Sequence, residues 1–416
     1  MKKKWYAKLV VGLLSATLLL AGCGTEATEP TTEGDNQSQE PTTLRISMGL
    51  GESEWQVMKE KVFPQFEQEH NVKIEAVQIE AADLPKKLES MDAAGKMELD
   101  LFTQDNMALA PLVEKGLVED LSGYRDMIPD EILPSLTSVG EFDDKLYFLP
   151  YRPNVEITYY NETKFNEAGL TPPTNWDELL NVAKTFKEKE GIGRVAIKGT
   201  LDGNTTVHLY DFIRSAGGDP MVLNDEGSVK AYTFLQELYP YLSPDTKKAD
   251  WNTMNQYLAN ESVYLGQNWP FGVNVIVKDG GKEEIKAYHG WEGPVKESHV
   301  LGGEVIGIPK GSPNADLAME FAAYLMSKEV QEIFVSELGW PASRSDAYGT
   351  VADWQKPYFE AVDQALATAE ARPNVTYWAD VEKATNDAFR EIVMEGKPVK
   401  PTLDKYHDVL EVAKNK

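Results

Sequence analysis

Cysteine is almost absent: Cys23 stands alone in a chain of 416 residues. A mature protein beginning there has no internal disulfide, so its stability must come from a packed core. The length is enough for one, most simply divided between two domains. Histidine is nearly as scarce. His70, His208, His289, His299 and His407 include no pair four apart on a helix, so their spacing indicates no metal site. No Gly-x-x-x-x-Gly-Lys run is present to cradle a phosphate, and nothing calls for a cofactor. Positive charge is also short, with 41 Lys and Arg against 67 Asp and Glu and a net charge of −26. That balance argues against nucleic acid or an anionic membrane surface as a partner. It leaves a neutral ligand open. The apolar run from Leu9 to Leu20 is too short to span a bilayer comfortably.

What is present begins at that run. Lys2, Lys3, Lys4 and Lys8 precede it, giving the basic flank and apolar core of a secretory signal. It ends in Leu20-Ala21-Gly22-Cys23, which resembles the bacterial lipoprotein processing motif. There the cysteine thiol takes a lipid and becomes the mature N-terminus, a palmitate-type acyl chain adding to the anchor. Residues 1–22 are expected to be a signal peptide, Cys23 the lipidation site, and that lipid the only link to the membrane. Without the four lysines the net charge becomes −30. Residues 23–43 follow as a lipidated N-terminus and a tether, since Thr25 to Thr43 has almost no apolar residue to offset the cost of ordering.

Leu44 to Met48 alternates as a half-buried strand. Met58, Val62, Phe63 and Phe66 then mark one helical face, with Pro64 as a kink. Val72 to Ile79 reads as a strand, Leu84, Leu88 and Met91 as a helix, and Leu99 to Thr103 as a third strand. Strand and helix in this alternation predict a parallel sheet. Ligands gather beyond the carboxyl ends of such strands, which draws attention to Asp105 and Asn106. Pro150-Tyr151-Arg152-Pro153-Asn154 lies between two strand-like runs and has no glycine for a tight turn. Its prolines favour extended backbone, so the chain is expected to run straight from one lobe to the other, with Tyr151, Arg152 and Asn154 at the mouth of a cleft. An ordinary strand with a proline kink fits the same residues. Farther on, Asn161 to Ala168 predicts a helix closed by Gly169. Thr174 with Asp177 predicts a capping box for the next helix. Trp176 reads as packing. Gly266 to Gly272 predicts a loop carrying Trp269, and Gly302-Gly303 a break ahead of a strand. Trp340-Pro341 opens another loop.

Taken in order, these stretches resemble the extracellular solute-binding proteins of carbohydrate ABC importers, the maltose-binding protein family. The resemblance runs from about Leu44 to Lys414. It rests on Asp100-Leu101-Phe102 through Gly116 to Leu121, Lys145 to Pro150, Tyr160-Asn161 through Trp176 to Leu179, Gly217-Gly218-Asp219, Gly266 to Trp269, and Gly302-Gly303 with Ile308 to Gly311. It implies an α/β protein with two lobes, each a mostly parallel sheet flanked by helices, and a sugar held between them. The lobes are expected at 44–152 with 304–369 and at 153–303 with 370–416.

Asp105 would accept sugar hydroxyls and Trp269 would stack on a pyranose face. Glu52, Asn106, Tyr151, Arg152, Asn154, Tyr210, Gly302, Gly303, Trp340 and Trp378 complete the expected site. Gln104 and Asn106 stand where the family often has an aromatic beside this Asp. That suggests a polar, short site suited to a di- or trisaccharide, α-linked glucosides such as trehalose and maltose among them. The resemblance also implies membrane permease subunits as partners, an ATPase on a separate chain, a monomer, and no catalytic residues. A secreted glycoside hydrolase would also combine aromatics with carboxylates, but no local motif isolates an acid and a nucleophile. A binder of another solute is the remaining alternative.

Overall fold

The computed structural model describes residues 40–79 and 83–415. The signal segment, Cys23 and nearly all of the tether lie outside the described residues. The strands of the first half are β1 (Thr42–Ser47), β2 (Val72–Ala76), β3 (Leu101–Asp105), β4 (Glu141–Phe142), β5 (Lys145–Leu146), β6 (Phe148–Asn154) and β7 (Ile157–Asn161). Those of the second half are β8 (Val195–Ala196), β9 (Leu265–Asn268), β10 (Ile285–Tyr288), β11 (His299–Gly307) and β12 (Ala369–Ala371). Thr42 and Thr43, expected in the tether, open β1 by pairing with Val72 and Lys73.

Leu44 and Ile46 of β1 and Val72 and Ile74 of β2 point into one core, as period-2 alternation requires. The helical crossover between them breaks into a wide turn at Met58–Val62 immediately before Pro64, which cannot donate to the turn behind it. β2, β1 and β3 are parallel, the expected strand–helix–strand arrangement. β11 extends this sheet antiparallel to both β3 and β6, and pairs in parallel with β12 through its first residues. The second sheet has the order β10-β7-β9-β8. It is mixed rather than mostly parallel, because β7 enters from the crossing and runs against both neighbours. Each sheet has its own buried clusters, Leu44, Phe66 and Phe321 in the first lobe and Phe165, Phe186 and Tyr232 in the second.

β6 pairs in the first sheet and β7 in the second, so the chain passes from one to the other at Val155-Glu156. The stretch Pro150 to Asn154 is extended, as expected, but it pairs with β11, Tyr151 standing unpaired where the register shifts, so the crossing follows it. The helix Lys356–Leu366 was expected in the first lobe. It packs instead on the second sheet, with Tyr358 donating to the Ile285 carbonyl at 2.6 Å.

Local signals behaved unevenly. Asn161 caps its helix through Lys164 N, and Gly169 ends it at φ 70°. The expected capping box does not form: the cap is Asn175, one residue on, which accepts from Glu178 N, while Glu178 accepts from Thr174 N ahead of the cap. Gly266 is no turn residue. It sits inside β9, where a methyl group would come within 2.7 Å of Met254 Sδ. Gly302 and Gly303 likewise lie within β11, beside the irregularity between Glu304 and Val305.

Candidate functional site

A cleft of about 710 Å³ lies between the lobes. From the first lobe, Glu54 reaches it from the helix after β1, Asp105 from the end of β3, Arg152 and Asn154 from β6, and Glu304 from β11. Arg152 and Glu304 are cross-strand neighbours, so their pairing follows directly from register. Arg152 Nη2 is 3.2 Å from Glu304 Oε1, and Nη1 is 3.4 Å from Glu54 Oε1. Its guanidinium carbon lies 4.1 Å from the Trp340 ring centre, and Trp340 Nε1 donates to Glu54 at 3.1 Å. Burial works against the charge on Arg152, but Glu304 and Glu54 outweigh it and raise its pKa. Burial pushes the Glu304 carboxyl up, with Arg152 opposing.

The second lobe supplies aromatic surface. Trp269 follows β9, and its carbonyl accepts from Tyr159 Oη at 3.0 Å and from Gly272 N at 3.1 Å. Lys198 Nζ lies 5.2 Å from its ring centre. Gly302 passes so close that an added Cβ would be 2.7 Å from Trp269 Cη2. Trp251, half exposed, meets Phe271 edge to face at 5.6 Å, and both line the cleft. Arg372, just past β12, places Nη2 3.6 Å from Asp105 Oδ1. Burial pulls its guanidinium below the ordinary value, with Asp105 opposing. Arg152 Nε, Asn154 Oδ1, Glu304 Oε2 and Arg372 Nε are buried without a hydrogen-bond partner. Such atoms leave donor and acceptor capacity unspent.

A family model described as bacterial extracellular solute-binding protein matches residues 61–361. The chain belongs to that family. Diacetylchitobiose binding protein DasA of Streptomyces coelicolor is 24% identical over 95% of this chain and 95% of its own. Multiple sugar-binding protein of Streptococcus mutans is 27% identical over 68% of this chain and 70% of its own. Among solved structures, maltose-bound MalE3 of T. maritima superposes with a TM-score of 0.78 at 19% identity, covering 89% of this chain and 99% of the other. The two-lobed α/β fold is shared.

In this solute-binding protein Asp105, Arg152, Asn154, Trp269, Gly303 and Trp340, all singled out from sequence, line one cleft. The others do not. Glu52 faces away, and Glu54, two residues on, takes its place. Tyr151, the unpaired residue where the β6–β11 register shifts, is 1% exposed and packs edge-on against Phe334 and Trp340. Tyr210 is fully buried against Trp378, within the second-lobe core, and neither lines the cleft.

Asn106 is a structural tie. Its Nδ2 donates to the Leu301 carbonyl at 3.1 Å, its carbonyl accepts from Asn374 at 2.8 Å, and its Oδ1 from Arg372 at 3.4 Å. Gly302 contributes as the close neighbour of the Trp269 ring. Sequence reasoning missed Glu54, Trp251, Phe271, Glu304 and Arg372. Trp251 carried a signal, as a large aromatic directly after a helix-capping Asp250. Arg372 carried one in Arg372-Pro373-Asn374, a polar turn between two helices.

Proposed function

We propose that this protein captures a small oligosaccharide, a di- or trisaccharide, in the cleft and delivers it to the permease of an ABC importer. The observation that carries the reading is the division of labour across the cleft. Trp269, Trp251 and Phe271 offer flat apolar surface on one side, while Asp105, Glu54 and Glu304 offer acceptors on the other. Sugars present apolar C–H faces edged by hydroxyls, so the two sides match the two parts of one ligand. A carboxylate accepting from hydroxyls makes charge-assisted bonds without transferring a proton. The cleft volume falls within the usual range for small-ligand sites. Relatives named for diacetylchitobiose and for multiple sugars, and a fold neighbour holding maltose, support a glycan.

Excess acid in the cleft does not favour a cationic solute. Arg152 already pairs with Glu54 and Glu304, Arg372 lies beside Asp105, and Lys61 is 2.5 Å from Glu337. The protein acts as a monomer, held outside the cytoplasm by lipid on Cys23 after removal of residues 1–22. It performs no catalysis, and the ATPase is a separate chain. A thermal-shift screen against trehalose, maltose, chito-, xylo- and cello-oligosaccharides tests the reading. A ligand that binds only the folded state raises the melting temperature. A panel without effect, or release of reducing sugar from a glycoside, would refute it.

A further inference from the structure

The histidines show no metal-binding spacing, yet the fold gathers two of them with a glutamate outside the cleft lining. His289 follows β10, His299 opens β11, and Glu297 lies on the connection between them. Glu297 Oε1 is 2.5 Å from His289 Nδ1 and 2.9 Å from His299 Nε2. One ligand atom from each residue lies within 4.8 Å of the other two. The connection is pinned along its length. Glu292 N donates to Thr174 O at 3.0 Å, Gly293 N to Lys296 O at 3.0 Å, and Val295 N to Ser215 O at 3.0 Å. Trp291 is buried in the second-lobe core.

We propose that His289, Glu297 and His299 form a binding site for a divalent ion of the zinc type. Two imidazole nitrogens and one carboxylate oxygen suit zinc, whereas magnesium and calcium prefer oxygen donors throughout. Tetrahedral zinc holds its donors about 3.3 Å apart, for bonds of about 2.0–2.1 Å. The donors must therefore separate from Glu297 Oε1 by less than about 1 Å. The ion takes the place of the protons that now bridge each imidazole to that oxygen.

His299 Nδ1 is buried and has no hydrogen-bond partner, so the ring proton can move there when Nε2 exchanges its hydrogen bond to Glu297 for the ion. Thr158 Oγ1, also unpartnered, borders the same space beside Gly290 and is the candidate acceptor for that proton. The His289 side chain is 36% exposed, so ion and completing water enter from solvent.

Chelator-treated full-length protein titrated with zinc chloride by calorimetry tests the site. Zinc is expected to bind one per chain and raise the melting temperature, while magnesium does neither. His289→Ala should keep the apo melting temperature, because its ring is partly exposed, and weaken zinc at least about tenfold. E297Q should weaken it similarly. Sugar affinity should be the same in wild type and His289→Ala, so this site and the sugar reading fail separately. Absence of zinc binding, equal zinc affinity in wild type and His289→Ala, or magnesium binding in preference to zinc overturns the proposal.

Discussion

Trp269 is held from several sides: Tyr159 fixes its carbonyl, Lys198 lies near its ring, and Gly302 leaves room for its edge. If a sugar stacks on it, Trp269→Ala should weaken binding by about 2–4 kcal/mol. That is about 30- to 1000-fold in affinity. Its apo melting temperature should fall as well, because the ring covers the buried Lys198. Affinity alone therefore has to come from a second variant. A methyl group in Gly302→Ala would sit 2.7 Å from Trp269 Cη2 and push the ring aside without removing it. We expect about tenfold weaker sugar binding, with a stability loss of about 1–3 kcal/mol. Unchanged calorimetric affinity in both variants would show that Trp269 is packing and nothing more.

Between elements, the crossing into β7, the segment after β8 and the helix Gly203–Ser215 meet through three buried polar side chains. Lys198 Nζ pairs with Glu156 Oε1, and His208 Nε2 lies 2.7 Å from Glu156 Oε2. His208 Nδ1 accepts from Lys198 N at 3.0 Å, which fixes the neutral ring with its proton on Nε2. None is more than 2% exposed. Burial would raise the Glu156 pKa, but Lys198 and His208 outweigh it and hold the carboxyl at about 2. An unfolded glutamate titrates near about 4.3. Glu156 therefore adds stability that is complete above that value and is lost as pH falls towards about 2. Glu156→Gln should be about 3–5 kcal/mol less stable at neutral pH, because it leaves Lys198 buried without its partner. Its stability should also decline less steeply between about pH 5 and about pH 2, by about one proton. Urea unfolding across that range measures both, and an acid slope as steep as wild type would clear Glu156 of the effect.

At the scale of the whole molecule, the cleft draws residues from both lobes, so one ligand touching Asp105 and Trp269 must bias how far they stand apart. Small-angle scattering should record a smaller radius of gyration at saturating sugar than without it. An unchanged profile at proven saturation would mean that the lobes do not close on the ligand. Attachment belongs to this scale too. Among the described residues no helix is long and apolar enough to cross a membrane. If Cys23 carries the lipid proposed above, Cys23→Ser should move the protein from the membrane fraction to the medium. A variant that stays with membranes would contradict lipidation at Cys23.

Sequence by itself determined the elements whose signals are local. The alternation in β1 and β2, the apolar face through Phe66, the Asn161 cap and the φ-positive Gly169 each need only a few neighbouring residues to be read. The pairing of β1 with β2 and β3 followed, because strand–helix–strand units close in one way. Of the six cleft residues read from sequence, Asp105 and Asn154 end strands and Trp269 and Trp340 are loop aromatics, while Arg152 and Gly303 lie inside β6 and β11.

What lay beyond sequence was decided by packing between distant segments. Tyr151 and Arg152 are adjacent residues of one proline-bounded stretch, and the register shift there breaks simple alternation. Only the burial of Tyr151 between Phe334 and Trp340 says which of them meets the cleft. Glu52 and Glu54 share one short helix, and its rotation against the first lobe chooses Glu54. Arg372 reaches Asp105 across 267 positions, and His289, Glu297 and His299 converge because β10 and β11 belong to different sheets. Periodicity encodes which side of an element is apolar, while the order of strands encodes whom that side meets, and that order is settled by contacts that no local window contains.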